Sequence, residues 1–125
     1  MDIYGIGTDI IEIERIKKAV EKSMKFVEKF YSDKEIELFK SRNFRMSSIA
    51  GNFAAKEAVS KALGTGVRNF SLRDIEILRD DYNKPYVNLY GNAKQLAETL
   101  DIAEILVSIS HSKEYACANT IAIKK

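Results

Sequence analysis

Residues 53–66 read Phe-Ala-Ala-Lys-Glu-Ala-Val-Ser-Lys-Ala-Leu-Gly-Thr-Gly. On an α-helix successive residues advance by about 100°, so positions i, i+3 and i+4 share a face. That rule collects Ala54, Ala55, Ala58, Val59 and Ala62 on one smooth apolar side. Phe53, Glu57, Ser60, Lys61 and Gly64 fall on the other. A side built almost wholly of alanine lets a neighbouring backbone come very close. The opposite side carries an acid and a base one turn apart. A Glu–Lys pair at this spacing also serves as plain helix support, worth about 0.2–0.5 kcal/mol. Gly64 reads as a helix stop, because glycine reaches the left-handed conformation without a side-chain clash.

Outward from this helix the remaining elements follow from pattern. Residues 2–9 (Asp-Ile-Tyr-Gly-Ile-Gly-Thr-Asp) read as a strand whose two glycines permit close backbone approach. Asp9 is expected where this strand ends and a helix begins. Glu12 to about Phe30 is expected to be helical, with Ile13, Ile16, Val20, Met24 and Val27 as its apolar stripe. Arg15, Lys18, Lys22, Lys25 and Lys29 form a separate basic stripe, which a break near Ser23 would split. Ser32-Asp-Lys-Glu35 is a capping box opening a helix with Ile36 and Phe39 inward. Ser47 or Ser48 is expected to cap the long helix that ends at Leu63. Ser71–Leu78 and Lys84–Tyr90 read as strands about the turn Asp80–Asn83, and Pro85 suits a strand start. Asn92 is expected to cap a short helix through Leu100. Ile105–Ser110 and Tyr115–Ile123 read as a closing hairpin about His111–Glu114. The order β-α-α-α-β-β-α-β-β predicts an α+β fold with a largely antiparallel sheet. A length of 125 residues predicts one domain over residues 1–125.

Composition removes several function classes. One cysteine, Cys117, leaves no intrachain disulfide, which fits a reducing compartment. Cys117 itself is expected to be a small buried residue. No basic segment followed by a long apolar run marks a signal peptide, and no run of about 18 apolar residues could span a membrane. The expected localisation is cytoplasmic, with no membrane partner. No Cys/His set has zinc spacing, and no sheet face combines aromatic and basic residues for nucleic acid. The net charge of +2 is small but uneven. Six bases and two acids lie between Arg15 and Lys29, a local excess of +4. This is either a solvated face or a docking surface that steers an acidic partner into place.

Three segments carry chemistry: Gly5-Ile-Gly-Thr-Asp9 with Arg15 beyond it, the Glu57/Lys61 helix, and Ser108-Ile-Ser-His111 with the chain's only histidine. Taken singly, Asp9 could be a helix-start residue and His111 a structural turn residue. Taken together, Gly-Ile-Gly-Thr-Asp-Ile-Ile-Glu-Ile-Glu-Arg (5–15), the 53–66 stretch and Ser-Ile-Ser-His-Ser-Lys-Glu-Tyr-Ala (108–116) resemble one family. The chain resembles the holo-[acyl-carrier-protein] synthases, the short family of 4′-phosphopantetheinyl transferases, over nearly its whole length.

The resemblance implies the 4′-phosphopantetheinyl transferase fold and a reaction. Coenzyme A donates its 4′-phosphopantetheine arm to a serine hydroxyl of an acyl carrier protein, and adenosine 3′,5′-bisphosphate leaves. It implies Mg²⁺ held by Asp9 and Glu57, since that ion takes only one or two protein carboxylates and keeps several waters. Lys61 would reach the same phosphates. Glu57, or a water held between it and the ion, would take the serine proton. Gly64, Thr65 and Gly66 would let the backbone approach the pantetheine–phosphate region. Ser108, Ser110 and His111 would line the coenzyme pocket, and Lys84-Pro85-Tyr86 would border the adenine nucleotide. Arg15, with Lys18, Lys22 and Lys25, would meet the acidic carrier protein. Members of this length are homotrimers with the coenzyme at the subunit boundary, and the alternating run 115–123 could supply apolar contact surface. The implied role is in fatty acid biosynthesis.

Two positions depart from the family pattern. Asn52 stands where many relatives carry an arginine that meets the coenzyme's phosphates, and Arg42 or Arg45 could substitute. Asn83 replaces a common turn glycine, and asparagine also tolerates positive φ. Two other readings remain: a non-catalytic module holding coenzyme A or a carrier protein, and a Mg²⁺-dependent nucleotide pyrophosphatase. Intact Asp9, Glu57 and Lys61 weigh against the first. The basic stripe, which suits a protein acceptor, weighs against the second.

Overall fold

Strand β1 (Ile3–Glu12) begins a computed structural model that describes residues 2–64 and 69–125. It is followed by helices α1 (Ile13–Lys22), α2 (Lys25–Phe30), α3 (Asp33–Ser41) and α4 (Met46–Ala62). A short 3₁₀ turn at Leu72–Asp74 leads into β2 (Ile75–Arg79) and β3 (Pro85–Leu89). Helix α5 (Gly91–Thr99) and strands β4 (Ile102–His111) and β5 (Tyr115–Lys124) complete the chain. The α+β architecture matches the expected element order.

All strand pairs are antiparallel, but they form two sheets. One has the order β1-β5-β4; the other is the β2-β3 hairpin. The glycines of β1 and the alanines of α4 explain how the larger sheet is covered. A Cβ added to Gly7 would overlap the Ala58 carbonyl, and one added to Gly5 would overlap the Ala62 carbonyl. The helix therefore lies on the strand at a distance only glycine permits. Thr120 on β5 pins the contact by donating its hydroxyl to the Ala58 carbonyl at 2.8 Å. Ala54, Ala55, Ala58, Val59 and Ala62 are buried there, as the face pattern predicts.

Several local expectations are corrected. Strand β1 runs three residues beyond Asp9, because its pairing continues to Glu12 opposite Tyr115. Asp9 is thus a strand residue and not a helix start. The first helix does break at Ser23, and Met24 is exposed instead of lying on an apolar stripe. Ser47 and Ser48 sit inside α4, whose preceding residue Arg45 makes no side-chain cap. Asn92 does not cap α5; it lies within the helix and donates to the Asn69 carbonyl at 2.8 Å. Cys117 is half-buried. The Ser32 capping box forms as expected, with both reciprocal bonds present. Asn83 adopts φ 65° and Gly64 φ 85°, the left-handed conformations anticipated for both. No helix among the described residues is long and apolar enough to cross a membrane.

Two faces of the β1-β5-β4 sheet behave differently. Gly7, Thr120 and Val107 share a register row and face α4; so do Asp9, Ala118 and Ile109. The alternate rows face away. Ile6, Ile121 and Leu106 form one of them, and Ile10, Cys117 and Ser110 another. Ile3, Ile6 and Ile10 are 67%, 72% and 66% exposed, so the edge strand β1 carries a bare apolar row. The exposed apolar surface comes from β1 and Leu106 of β4 more than from run 115–123, whose alanines are buried under α4.

Candidate active site

The tight α4–β1 contact brings three of the anticipated residues together. Lys61 Nζ lies 3.1 Å from Asp9 Oδ1 and donates to the Thr8 carbonyl at 2.9 Å. Glu57, one turn earlier, is half-buried beside them. Burial pushes the Glu57 carboxyl above the usual carboxylate range, and the charge of Asp9 pushes it the same way; Lys61 opposes both. Two carboxylates and one amine thus converge where α4 ends and β1 approaches the edge of the sheet. Gly64 caps the helix just beyond, its N–H donating to the Lys61 carbonyl at 2.9 Å. Thr65 and Gly66 lie outside the described residues.

The other anticipated residues are elsewhere. His111 ends β4, on the opposite edge strand of the same sheet. Edge strands of a three-stranded sheet lie about 10 Å apart. His111 helps line a cavity of about 280 Å³ with Arg42, Arg45, Arg79, Asn83 and Pro85. Lys84 and Pro85 also border a second cavity, with Tyr86, Glu104 and Leu106. Ser108 and Ser110 are exposed on the sheet face turned away from α4, in register with Asn119 and Cys117. Within one protomer they do not meet the Asp9–Glu57–Lys61 group. Arg15, Lys18, Lys22 and Lys25 are all exposed, the first three on α1 and the last on α2 after the break.

Sequence reasoning missed a buried charged network beneath this site. Lys56, beside Glu57 in sequence, points into the core and is fully buried with Glu35 of the capping box. Its amine contacts Glu35 and the carbonyls of Leu72 and Ile75. Asn52, also fully buried, donates to Glu35 Oε2 and to the Ile77 carbonyl, each at 2.9 Å. Its own carbonyl accepts from Arg79 at 2.9 Å. Four charged or polar side chains from α3, α4 and β2 are thereby linked. Helix periodicity offered one signal: at about 100° per residue Lys56 falls between the apolar and polar sides, between Val59 and Ser60.

A family model described as the 4′-phosphopantetheinyl transferase superfamily matches residues 5–120. A holo-[acyl-carrier-protein] synthase of Alkaliphilus oremlandii is 54% identical over 121 residues, 97% of this chain and 99% of that one. The chain belongs to the 4′-phosphopantetheinyl transferase superfamily. Within that superfamily it groups with the holo-[acyl-carrier-protein] synthases, which makes it an enzyme. A Neisseria meningitidis holo-[acyl-carrier-protein] synthase shares the phosphopantetheinyl transferase fold at TM-score 0.92, with 33% identity over 98% of this chain and all of that one. A Helicobacter pylori member solved in complex with coenzyme A matches at TM-score 0.83 and 41% identity, over 94% of this chain and 98% of that one.

Proposed function

We propose that this chain transfers the 4′-phosphopantetheine arm of coenzyme A to a serine of apo acyl carrier protein, releasing adenosine 3′,5′-bisphosphate. The observation that carries the reading is the convergence of Asp9, Glu57 and Lys61 at the α4–β1 contact. The coenzyme A complex of the Helicobacter pylori relative supports the donor.

The donor set fits a single hard divalent ion. No group of three or more described His, Cys, Asp or Glu residues could cage a metal. Asp9 and Glu57 offer the one or two carboxylates that Mg²⁺ accepts while keeping water and phosphate in its remaining positions. Burial first, and then the charge of Asp9, raise the Glu57 carboxyl, and a cation between the two carboxylates would relieve their repulsion. When bound, the ion supplies charge neutralisation at a pyrophosphate. Lys61, already beside Asp9, adds a point charge for the same phosphates. Holding donor and acceptor in line is the rest of the work, since phosphoryl chemistry needs position and charge more than covalent help. Glu57, or a water held between it and the ion, would receive the serine proton; a carboxylate that holds the ion is a weak base, which favours the water.

The two halves of the coenzyme site sit on opposite edges of one sheet. Asp9 is on β1, and His111 with Pro85 is at the β4 side. A ring in which the β1 edge of one copy meets the β4 edge of the next would join them, and would cover Ile3, Ile6 and Ile10. Ser108 and Ser110 face outward and would then line that boundary. A homotrimer is the ring we propose. The basic residues Arg15, Lys18, Lys22 and Lys25 form the docking face for an acidic carrier. A cytoplasmic enzyme of fatty acid biosynthesis follows from the same reading.

One assay decides it. The chain is mixed with coenzyme A, Mg²⁺ and apo acyl carrier protein, and the carrier is weighed by mass spectrometry. A gain of one phosphopantetheine arm is expected. Coenzyme bound intact with no gain would mean a binding module, and hydrolysis without carrier would mean a pyrophosphatase.

A further inference from the structure

Helix α2 has six residues, and a helix of that length does not hold together in water by itself. It stands between the break at Ser23 and the Ser32 capping box. It nevertheless carries Lys25 of the proposed docking face, and Lys29, one turn further on, shares that exposed side. Whatever fixes α2 fixes where these two cations stand.

Two kinds of contact hold it. On the inner side Val27 is fully buried, and Phe26 stacks on Phe53 of α4 with ring centroids 5.9 Å apart. Apolar burial sets where a helix sits but carries little direction. The second contact is directional. Carbonyls at the end of a helix have no partner within it. Arg73, on the 3₁₀ turn Leu72–Asp74, donates from one guanidinium nitrogen to the Glu28 carbonyl at 2.8 Å and to the Tyr31 carbonyl. Its other nitrogen donates to Asp33 Oδ1, in the first turn of α3, at 2.8 Å. The positive charge also faces the negative end of the α2 dipole.

The turn that bears Arg73 is anchored in the core. Leu72 is buried, and its carbonyl accepts from Lys56 of α4 at 3.0 Å. The Asp74 carbonyl accepts from the Tyr90 N–H at 2.9 Å. Arg73 therefore refers α2 to the helix that carries Glu57 and Lys61. Its ion pair with Asp33 matters less, because Asp33 is 92% exposed and such pairs are weak. The two charge-assisted bonds to backbone are the stronger part.

We propose that Arg73 is a positioning residue for carrier-protein binding, which clamps the end of α2 and so fixes Lys25 and Lys29 relative to the catalytic helix. This rests on the docking reading above. A docking helix in place for only a fraction of the time lowers the carrier's apparent affinity by that fraction. The effect belongs to the acceptor side of the reaction, since the partners of Arg73 lie on α3 and at the end of α2.

The test is Arg73→Met, read by steady-state kinetics with both substrates and by hydrogen exchange of residues 24–31. Carrier KM should rise by about 3- to 10-fold, with kcat and the KM for coenzyme A within about twofold of wild type. The α2 amides should exchange at least about fivefold faster. Arg73→Lys, which keeps the charge without the fork, should recover part of the carrier KM. Asp33→Asn, which removes only the ion pair, should change it by less than about twofold. Lys25→Glu should raise carrier KM in the wild type and raise it by a smaller factor in Arg73→Met, because a displaced charge has less to lose. Unchanged carrier KM in Arg73→Met beside a raised one in Lys25→Glu overturns the positioning role. So does a fall in kcat, or a coenzyme KM that moves by the same factor, which would mean general loosening. Fully additive effects with unchanged exchange would make Arg73 a direct carrier contact and overturn it too. A carrier KM indifferent to Lys25→Glu overturns the docking reading instead.

Discussion

Lys61 Nζ and Asp9 Oδ1, 3.1 Å apart, tie the last turn of α4 to the opening strand. The two residues are 52 positions apart in the chain. Their meeting depends on Gly5 and Gly7, which let the helix lie directly on the strand.

Asp9→Asn and Glu57→Gln keep the size of each side chain but remove the charge. Each is expected to cut kcat by about 10²-fold or more, the cost of losing one charge-stabilising group in a transition state. Circular dichroism and Tm should stay near wild type, because Asp9 is only partly buried. Near-native turnover of either variant at limiting Mg²⁺ would refute the metal assignment.

Gly7→Ala introduces a methyl group where the Ala58 carbonyl already sits. A backbone oxygen cannot rotate away as a flexible side chain can. The expected loss is about 1–3 kcal/mol, typical of overpacking, with a lower urea midpoint. Turnover should fall further than stability, since the helix that carries Glu57 and Lys61 is pushed off β1. A variant with native midpoint and native rate would contradict the close approach.

Lys56→Met leaves the Glu35 carboxylate buried without its cation. Breaking one side of a buried pair costs about 3–5 kcal/mol. The double variant Lys56→Met/Glu35→Leu should recover most of that loss, because two apolar groups need no partner. Chemical denaturation of both variants measures the difference. A double variant as unstable as the single one would mean that the pair itself, not the orphaned charge, supplies the stability.

Glu76 is buried, which pushes its carboxyl up, but hydrogen bonds from Ser32, Asn88 and Tyr90 outweigh burial and hold it below the ordinary range. A carboxyl lowered on folding stabilises the native state above its unfolded value, about 4.3, because the unfolded chain then binds protons more readily. That stability is lost as pH falls through the folded value. Glu76→Gln should therefore be less stable than wild type at pH 7, by about 1–3 kcal/mol. The gap should shrink on acidification below about pH 4.3. Parallel urea titrations at pH 7 and pH 3.5 check it; a gap independent of pH would show that charge is not involved.

Arg15→Glu reverses an exposed charge on α1. The KM for carrier protein should rise a few-fold at low salt, on the order of the 1 kcal/mol of an exposed pair. The effect should fade as salt shortens the screening length. The KM for coenzyme A should not move. A salt-independent change in carrier KM would remove the docking role.

The legible part of this protein was local. The α4 face pattern, the Ser32 capping box and the Gly64 stop are set by residues within a few positions of one another and formed where expected; the closing hairpin formed too, but its first strand starts at Ile102 instead of Ile105 and takes in His111. Asp9, Glu57 and Lys61 were singled out by the resemblance of their segments to one family; the glycines of the strand and the alanines of the helix were each read only as permitting close approach, and the structure brings the three side chains together. What only the tertiary structure decided involves distant pairs. Strand β1 extends past Asp9 because β5, over a hundred residues later, supplies its ladder partners. Glu35 was read only as a capping-box residue and Lys56 was given no role, since periodicity says which residues share a face but not how deep that face will lie. Asn52 and Arg79 meet because β2 packs beside α4, and the position of His111 on the far edge strand follows from sheet order alone. Local chemistry depends on neighbours in sequence; burial and charge pairing depend on neighbours in space, and only folding chooses those.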